Sequence, residues 1–144
     1  MSSQLRLAVV ALGSNEGQRD THLRYAVGRL ANLLTDLVVS SFIETAPVGG
    51  PPQREFLNAA VVGATSISPA VLLKEILLIE AERGRERPFT HAPRTLDLDL
   101  ILVGDLVVRQ AAITIPHPRF RKRRFVLEPL ASIAPDLIDP VTKL

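Results

Sequence analysis

The residues best suited to chemistry lie in Arg94-Thr95-Leu96-Asp97-Leu98-Asp99-Leu100-Ile101. Side chains on a strand alternate between its two faces. Leu96, Leu98, Leu100 and Leu102 then fall on one face, fit for a core, and Asp97 and Asp99 fall together on the other. Adjacent carboxylates on one face repel at neutral pH, and Asp has no intrinsic preference for a strand. Something cationic should compensate them. Hard divalent cations prefer oxygen ligands, and Mg²⁺ is commonly held by one or two carboxylates together with substrate phosphates. The plainer alternative is an exposed polar face, or pairing of the acids with Arg94.

Directly ahead of this strand run the twelve residues Gly84 to Thr95, without apolar periodicity, carrying Arg85, Arg87 and Arg94. A long irregular loop in a compact domain is often a lid or binding loop. Guanidinium groups beside a metal site suit a triphosphate, whose charge metal and arginine can share. A solvated loop is the alternative. A second basic stretch, Pro116-His117-Pro118-Arg119-Phe120-Arg121-Lys122-Arg123-Arg124-Phe125, reads alone as a nucleic-acid patch or as plain surface. From Arg83 to Arg124 there are nine Arg and one Lys against Glu86, Asp97, Asp99 and Asp105, an excess of six positive charges. Arg is the better residue for bidentate phosphate contact, so this half of the chain is expected to meet a polyanion. Gly13-Ser14-Asn15 follows a strand as a phosphate loop would, but no Gly-Lys-Ser/Thr follows it. Phe56-Leu57-Asn58 is suggestive only in that Asn58 on a strand needs a hydrogen-bond partner.

These residues must be positioned by elements that the apolar pattern delimits. Leu5 to Leu12 reads as a buried strand and Gly13-Ser14-Asn15-Glu16-Gly17 as its break. Leu23, Ala26, Val27, Leu30 and Leu34 recur at helical spacing, which predicts a helix over Arg19 to Leu34. Leu37 to Ile43 is a second strand, Ala46 to Gln53 a Pro- and Gly-rich loop, and Phe56 to Ala64 a third strand. Ser68 before Pro69 is a helix start, a side-chain cap followed by a residue that needs no N–H donor; that helix should end at Gly84. Leu96 to Val103 is the fourth strand, followed by a Gly104-Asp105 turn. Leu106 to Val108 and Ile113 to Ile115 are short extended pieces, and Phe125 to Ile133 a helix containing Pro129. The order β-α-β-β-α-β with appendages is the ferredoxin-like α+β arrangement, two helices on one face of an antiparallel sheet. That fold hosts many functions and does not choose among them.

Composition narrows the choice. With 144 residues and 47% hydrophobic content the chain is expected to be one domain, residues 1–144, with a core of its own. The absence of cysteine excludes disulfide scaffolds, zinc fingers and thiol catalysis. No apolar run approaches the ~20 residues of a membrane span, and the start shows no export pattern, so a cytoplasmic protein is expected. With one Tyr, five Phe and no Trp there is little to build an RNA-stacking surface.

In combination these segments resemble the 6-hydroxymethyl-7,8-dihydropterin pyrophosphokinase family of the folate pathway. The resemblance runs through Ala11-Leu12-Gly13-Ser14-Asn15, Thr45-Ala46-Pro47-Val48-Gly49, Phe56-Leu57-Asn58-Ala59-Ala60-Val61, Glu80, Gly84-Arg85, Pro93 to Asp99, Pro116-His117-Pro118 and Arg123-Arg124-Phe125. It implies transfer of pyrophosphate from ATP to the pterin hydroxymethyl group, releasing AMP. It implies Asp97 and Asp99 as holders of two Mg²⁺ ions on the ATP phosphates. Arg85, Arg94 and Arg123 would bind the triphosphate or its transition state, with Arg87 nearby, and Glu80 and His117 would belong to the ATP site. Phe56 and Phe125 would sandwich the pterin, while Asn58 and the stretch around Thr45, Pro47 and Val48 would read its hydrogen-bonding edge. Only the resemblance supplies the pterin; the residues themselves lead to a metal–phosphate site.

The sequence departs from many members at His91, where they carry Trp, and at Thr90, where they carry a basic residue, so closure of the lid over ATP is expected to differ. Arg is replaced by Ala112 and Gln by Leu77 relative to some members, which removes those contacts, and Leu144 comes early enough that a last helix is expected to be missing. The partners expected are ATP and the pterin, with no nucleic acid, no membrane and a monomeric chain. Two rival readings are an RNA-binding module on the same fold, which predicts aromatics on the central strands where this sequence has Asp97 and Asp99, and a catalytically silent relative, against which the intact acids and arginines speak.

Overall fold

The computed structural model describes residues 5–45, 55–83, 95–104, 106, 108–109, 114–115 and 133. Its centre is β1 (Arg6–Ser14), buried from Ala8 onward. It pairs antiparallel on one side with β4 (Phe56–Thr65) and on the other with β5 (Asp97–Val103). β2 (Thr35–Val39) and β3 (Ile43–Thr45) both pair with the far side of β4, giving the order β2-β4-β1-β5 with β3 beside β2's end of the sheet. With α1 (Arg19–Leu30) between β1 and β2, and α2 (Pro69–Glu82) between β4 and β5, this is the expected ferredoxin-like α+β fold. A small ladder of β6 (Val108–Arg109) and β7 (Thr114–Ile115) follows, close to the short extended pieces predicted there.

α2 starts as Ser68-Pro69 predicts: the Ser68 hydroxyl accepts the Val71 N–H at 3.4 Å, and Pro69 occupies the first turn. Leu72, Ile76 and Ile79 on its inner stripe are fully buried, each contributing on the order of 1.5–3 kcal/mol by leaving water. They meet Leu23, Ala26 and Leu30 of α1 and Val10, Leu12, Leu98 and Leu100 of the sheet in one core. α1 ends at Leu30, short of the expected Leu34. The chain there turns tightly instead, with both Leu33 N–H and Leu34 N–H donating to the Leu30 carbonyl at 2.9 Å. Leu34 is still buried, which is why it kept the helical spacing. Gly63 lies beneath it: a Cβ there would stand 2.6 Å from the Leu34 Cβ, so β4 can carry no side chain at that point.

Two expectations are corrected. The single strand read over Leu37 to Ile43 is two strands with a break at Ser40. Ser40 bridges that break, its N–H donating to the Ala60 carbonyl at 2.9 Å and its hydroxyl accepting the Ala60 N–H at 2.8 Å. Nor does Leu102 share the face of Leu98 and Leu100. Between Val9 and Val10 the register slips, so that Val10 faces Leu100 and Val9 faces Leu102, leaving Ile101 as the extra residue of a bulge. Beyond it Leu102 points to the opposite side, with Val9, Ala11, Ala60, Val62 and Ile101. The sheet's second face is therefore apolar at one end, where Ile133 packs against it, and polar at the other. The proposed helix over Phe125 to Ile133 lies, but for Ile133, outside the described residues, as does residue 105 of the predicted turn after Gly104.

Candidate active site

The polar end of the second face is built from three strands. On β5, Leu98 and Leu100 enter the helix-side core, so Asp97 and Asp99 project together from the other face, half-buried. Their neighbours on β1 are Gly13 and Ala11, which have small side chains or none. On the far side of β1, Gly13 pairs with Asn58 and Ala11 with Ala60. One row across the sheet thus reads Asn58–Gly13–Asp97, spanning about 10 Å at the usual strand spacing.

Asn58 is buried, and its Nδ2 donates to Thr45 Oγ1 at 2.6 Å. Thr45 is the partner of Phe56 across the β3–β4 ladder. Gly13 is necessary to this corner: a Cβ there would lie 3.2 Å from Asn58 Oδ1 and 3.5 Å from Phe56 Cδ1. An aromatic ring, an amide and a hydroxyl accordingly converge over the glycine, a surface suited to a flat heterocycle with a hydrogen-bonding edge. The polar residues after Gly13 are buried as well, Ser14 at 0% and Asn15 at 2% exposure. The Ser14 hydroxyl donates to the Glu16 carbonyl at 3.4 Å, and α1 starts only at Arg19, so the helix terminus of a phosphate loop does not directly follow.

Glu80 sits at the end of α2 with 1% of its surface exposed. Its Oε2 accepts the Leu98 N–H at 2.7 Å. The carboxylate grips the backbone between Asp97 and Asp99 and so ties α2 to the strand that carries them. The resemblance assigns Glu80 to the nucleotide site as well, a role that the bond to β5 neither requires nor opposes. Among the described residues no three His, Cys, Asp or Glu side chains come together as a metal cage. A pair of carboxylates over small residues suits Mg²⁺, which keeps waters and completes its shell with phosphate oxygens.

Two further groups went unnoticed in the sequence. Arg19 donates from Nη1 to the Glu55 carbonyl at 2.8 Å and from Nη2 to Glu44 Oε1 at 2.6 Å. A network also joins α1 to the last turn of α2. Arg29 and the Tyr25 hydroxyl both donate to the Glu82 carboxylate, at 2.8 and 2.5 Å, and hydrogen bonding from Arg29 holds Glu82 below its ordinary pKa. The Arg83 guanidinium lies 4.6 Å over the Tyr25 ring, and its Nε donates to His22 Nδ1 at 3.0 Å. Burial, and then the Arg83 charge, lower the His22 pKa. The structure thus brings together Thr45, Phe56, Asn58, Asp97 and Asp99, with Glu80 behind them. Pro47, Val48, Arg85, Arg87, Arg94, His117, Arg123 and Phe125 lie outside the described residues.

Fold and site together define a ferredoxin-like domain whose second sheet face presents a carboxylate pair beside a corner for a flat polar ring. Residues 9–135 match the family described as 7,8-dihydro-6-hydroxymethylpterin-pyrophosphokinase. A 2-amino-4-hydroxy-6-hydroxymethyldihydropteridine pyrophosphokinase of Synechocystis is 46% identical over 136 residues, covering 92% of this chain and 69% of the relative. The enzyme of that name from Bacillus subtilis is 46% identical over 129 residues, 88% of this chain and 77% of its own. In the crystal structure of Plasmodium falciparum HPPK-DHPS with pteroate, a region is similar to 98% of this chain with a TM-score of 0.75 at 14% identity, a likeness of fold. This chain spans 41% of that one. The chain belongs to the 7,8-dihydro-6-hydroxymethylpterin-pyrophosphokinase family.

Proposed function

We infer that the chain transfers pyrophosphate from ATP to 6-hydroxymethyl-7,8-dihydropterin in folate biosynthesis, giving the pterin diphosphate and AMP. The observation that carries this reading for the site is the Asn58–Gly13–Asp97 row, which sets a ring-reading corner and a carboxylate pair on one face of one sheet. The pterin hydroxyl oxygen attacks the β-phosphorus of ATP in line. The O–Pβ bond forms, the bond from Pβ to the oxygen of the α-phosphate breaks, AMP leaves, and the hydroxyl proton passes to solvent. Asp97 and Asp99 would hold Mg²⁺, two ions by family resemblance, and the metal would supply charge stabilisation at the phosphate oxygens. Glu80 fixes the strand beneath the two acids.

Phe56 and Phe125 stack on the pterin, and Asn58, oriented by Thr45, reads its edge together with backbone groups at Pro47 and Val48. Arg85, Arg87, Arg94, Arg123 and His117 take the triphosphate; positioning and electrostatics dominate such transfers. The whole reaction runs on this one domain, which acts as a cytoplasmic monomer. Among the described residues no helix is long and apolar enough to cross a membrane. Mixing the protein with ATP, Mg²⁺ and the hydroxymethyl-dihydropterin and following AMP release tests the reading. AMP formed only when both substrates are present supports it. ATP hydrolysis without pterin, or no AMP from folded protein, rejects it.

A further inference from the structure

α1 begins with a residue ill suited to its place. The positive end of a helix dipole disfavours a cation, yet Arg19 is the first helical residue, and Gln18 before it makes no side-chain cap bond. The Arg19 side chain turns away from the helix toward β3 and β4. Its Nη2 meets Glu44 Oε1 at 2.6 Å and its Nη1 meets the Glu55 carbonyl at 2.8 Å. Glu44 is the middle residue of β3, while Glu55 immediately precedes β4. Between those two points lies the Thr45–Phe56 pair, the last of three rungs among the described residues, Ile43–Asn58, Glu44–Leu57 and Thr45–Phe56. The Arg19 side chain is 17% exposed while the Glu44 side chain is 53% exposed, so the clamp is mostly covered on the arginine's side.

A three-residue edge strand pairs on one side only, so a side-chain bond at its end adds materially to its placement. That end carries Thr45, whose hydroxyl orients Asn58, and Phe56, whose ring lies over Gly13. One planar fork bonded to both strands fixes their separation, which two independent point charges could not do. We propose that Arg19 is a positioning residue for the pterin corner: it staples the open end of the β3–β4 ladder and so sets the placement of Thr45, Phe56 and Asn58. The inference rests on the reading of that corner as the pterin site.

The experiment is steady-state kinetics of Arg19→Ala, Arg19→Lys and Glu44→Gln, with each substrate varied in turn, alongside hydrogen exchange of the Phe56 and Leu57 amides in the substrate-free proteins. Arg19→Ala should raise the pterin KM about tenfold, the loss expected for one charge-assisted hydrogen bond, while the ATP KM and kcat stay within about twofold. Arg19→Lys, able to reach one partner at a time, should fall between wild type and Arg19→Ala, and Glu44→Gln, which keeps an oxygen acceptor, should be milder still. Exchange at Phe56 and Leu57 should quicken in Arg19→Ala. An unchanged pterin KM in an active, folded Arg19→Ala protein overturns the staple and leaves the reaction assignment standing, as does an equal rise in both KM values. If the wild-type chain makes no AMP, the reaction assignment fails, and the exchange rates alone decide whether Arg19 holds the ladder. If Arg19→Ala does not fold, Arg19→Lys and Glu44→Gln carry the same KM comparison.

Discussion

Asn58 and Asp97 stand on opposite sides of Gly13, each on a different neighbour of the central strand β1. The backbone of one glycine therefore separates the group placed to read a ring from the group placed to hold a cation. The spacing of their backbones is set by sheet geometry, about two strand widths.

Changing Asp97 or Asp99 to Asn keeps size and hydrogen-bonding capacity while removing the charge that would hold Mg²⁺. Turnover should fall by at least about a hundredfold, a loss of several kcal/mol of transition-state stabilisation, with the melting temperature little changed. AMP-release rates across a Mg²⁺ titration check this. Near-normal rates from folded variants would remove both acids from the metal role.

Gly13→Ala should act on the pterin and spare ATP. The added methyl would crowd Asn58 Oδ1 at 3.2 Å, and the amide must yield, loosening its bond to Thr45. Overpacking of this kind costs roughly 1–3 kcal/mol. A pterin KM raised about tenfold with an ATP KM near wild type is the expected result, measured by varying each substrate in turn.

Glu80→Ala should harm both stability and turnover. It leaves the buried Leu98 N–H without its carboxylate acceptor, a penalty of about 1–3 kcal/mol, and frees the strand under Asp97 and Asp99. Glu80→Gln retains an oxygen that can accept the bond and should recover much of both. Denaturant unfolding and kcat on the pair of variants make the comparison. Equal behaviour of Ala and Gln would show that the Leu98 bond is unimportant.

The His22 contact predicts a pH dependence. Arg83 donates to Nδ1, so the imidazole is neutral there, with its proton on Nε2. Burial and Arg83 hold the folded-state pKa below 6.5. The unfolded chain then takes up a proton before the folded one does as the pH falls. The stabilisation is complete above pH 6.5 and is lost as the pH drops from there through the lowered folded pKa. Glu82, also lowered, loses its contribution only below its own ordinary value of 4.5. Unfolding free energies measured across pH 5 to 7 should show a slope in wild type that His22→Gln abolishes.

Strand alternation alone placed Asp97 and Asp99 together on one face, because that rule needs nothing beyond the local chain. The same rule failed one turn of the pattern later at Leu102, since the bulge at Ile101 exists only through pairing with β1. Likewise the break at Ser40 depends on a hydroxyl finding Ala60 across the sheet. Resemblance marked Glu80, but its bond to Leu98 crosses from helix to strand, and no local pattern announces it. Arg19 gave no sign at all: its partners lie 25 and 36 residues away, and in the sequence it is simply one more arginine.

Glu80 has a second consequence. β5 is the outermost strand of its sheet, paired only with β1 among the described residues, and Leu98, bonded to Glu80, turns its N–H away from β1. Outer strands with vacant donors recruit other chains and seed aggregation. A carboxylate from the molecule's own helix occupies that donor, so a second copy cannot extend the sheet at Leu98 without first displacing a buried side chain. The bond that steadies the acidic strand thus also closes that one donor to outside partners.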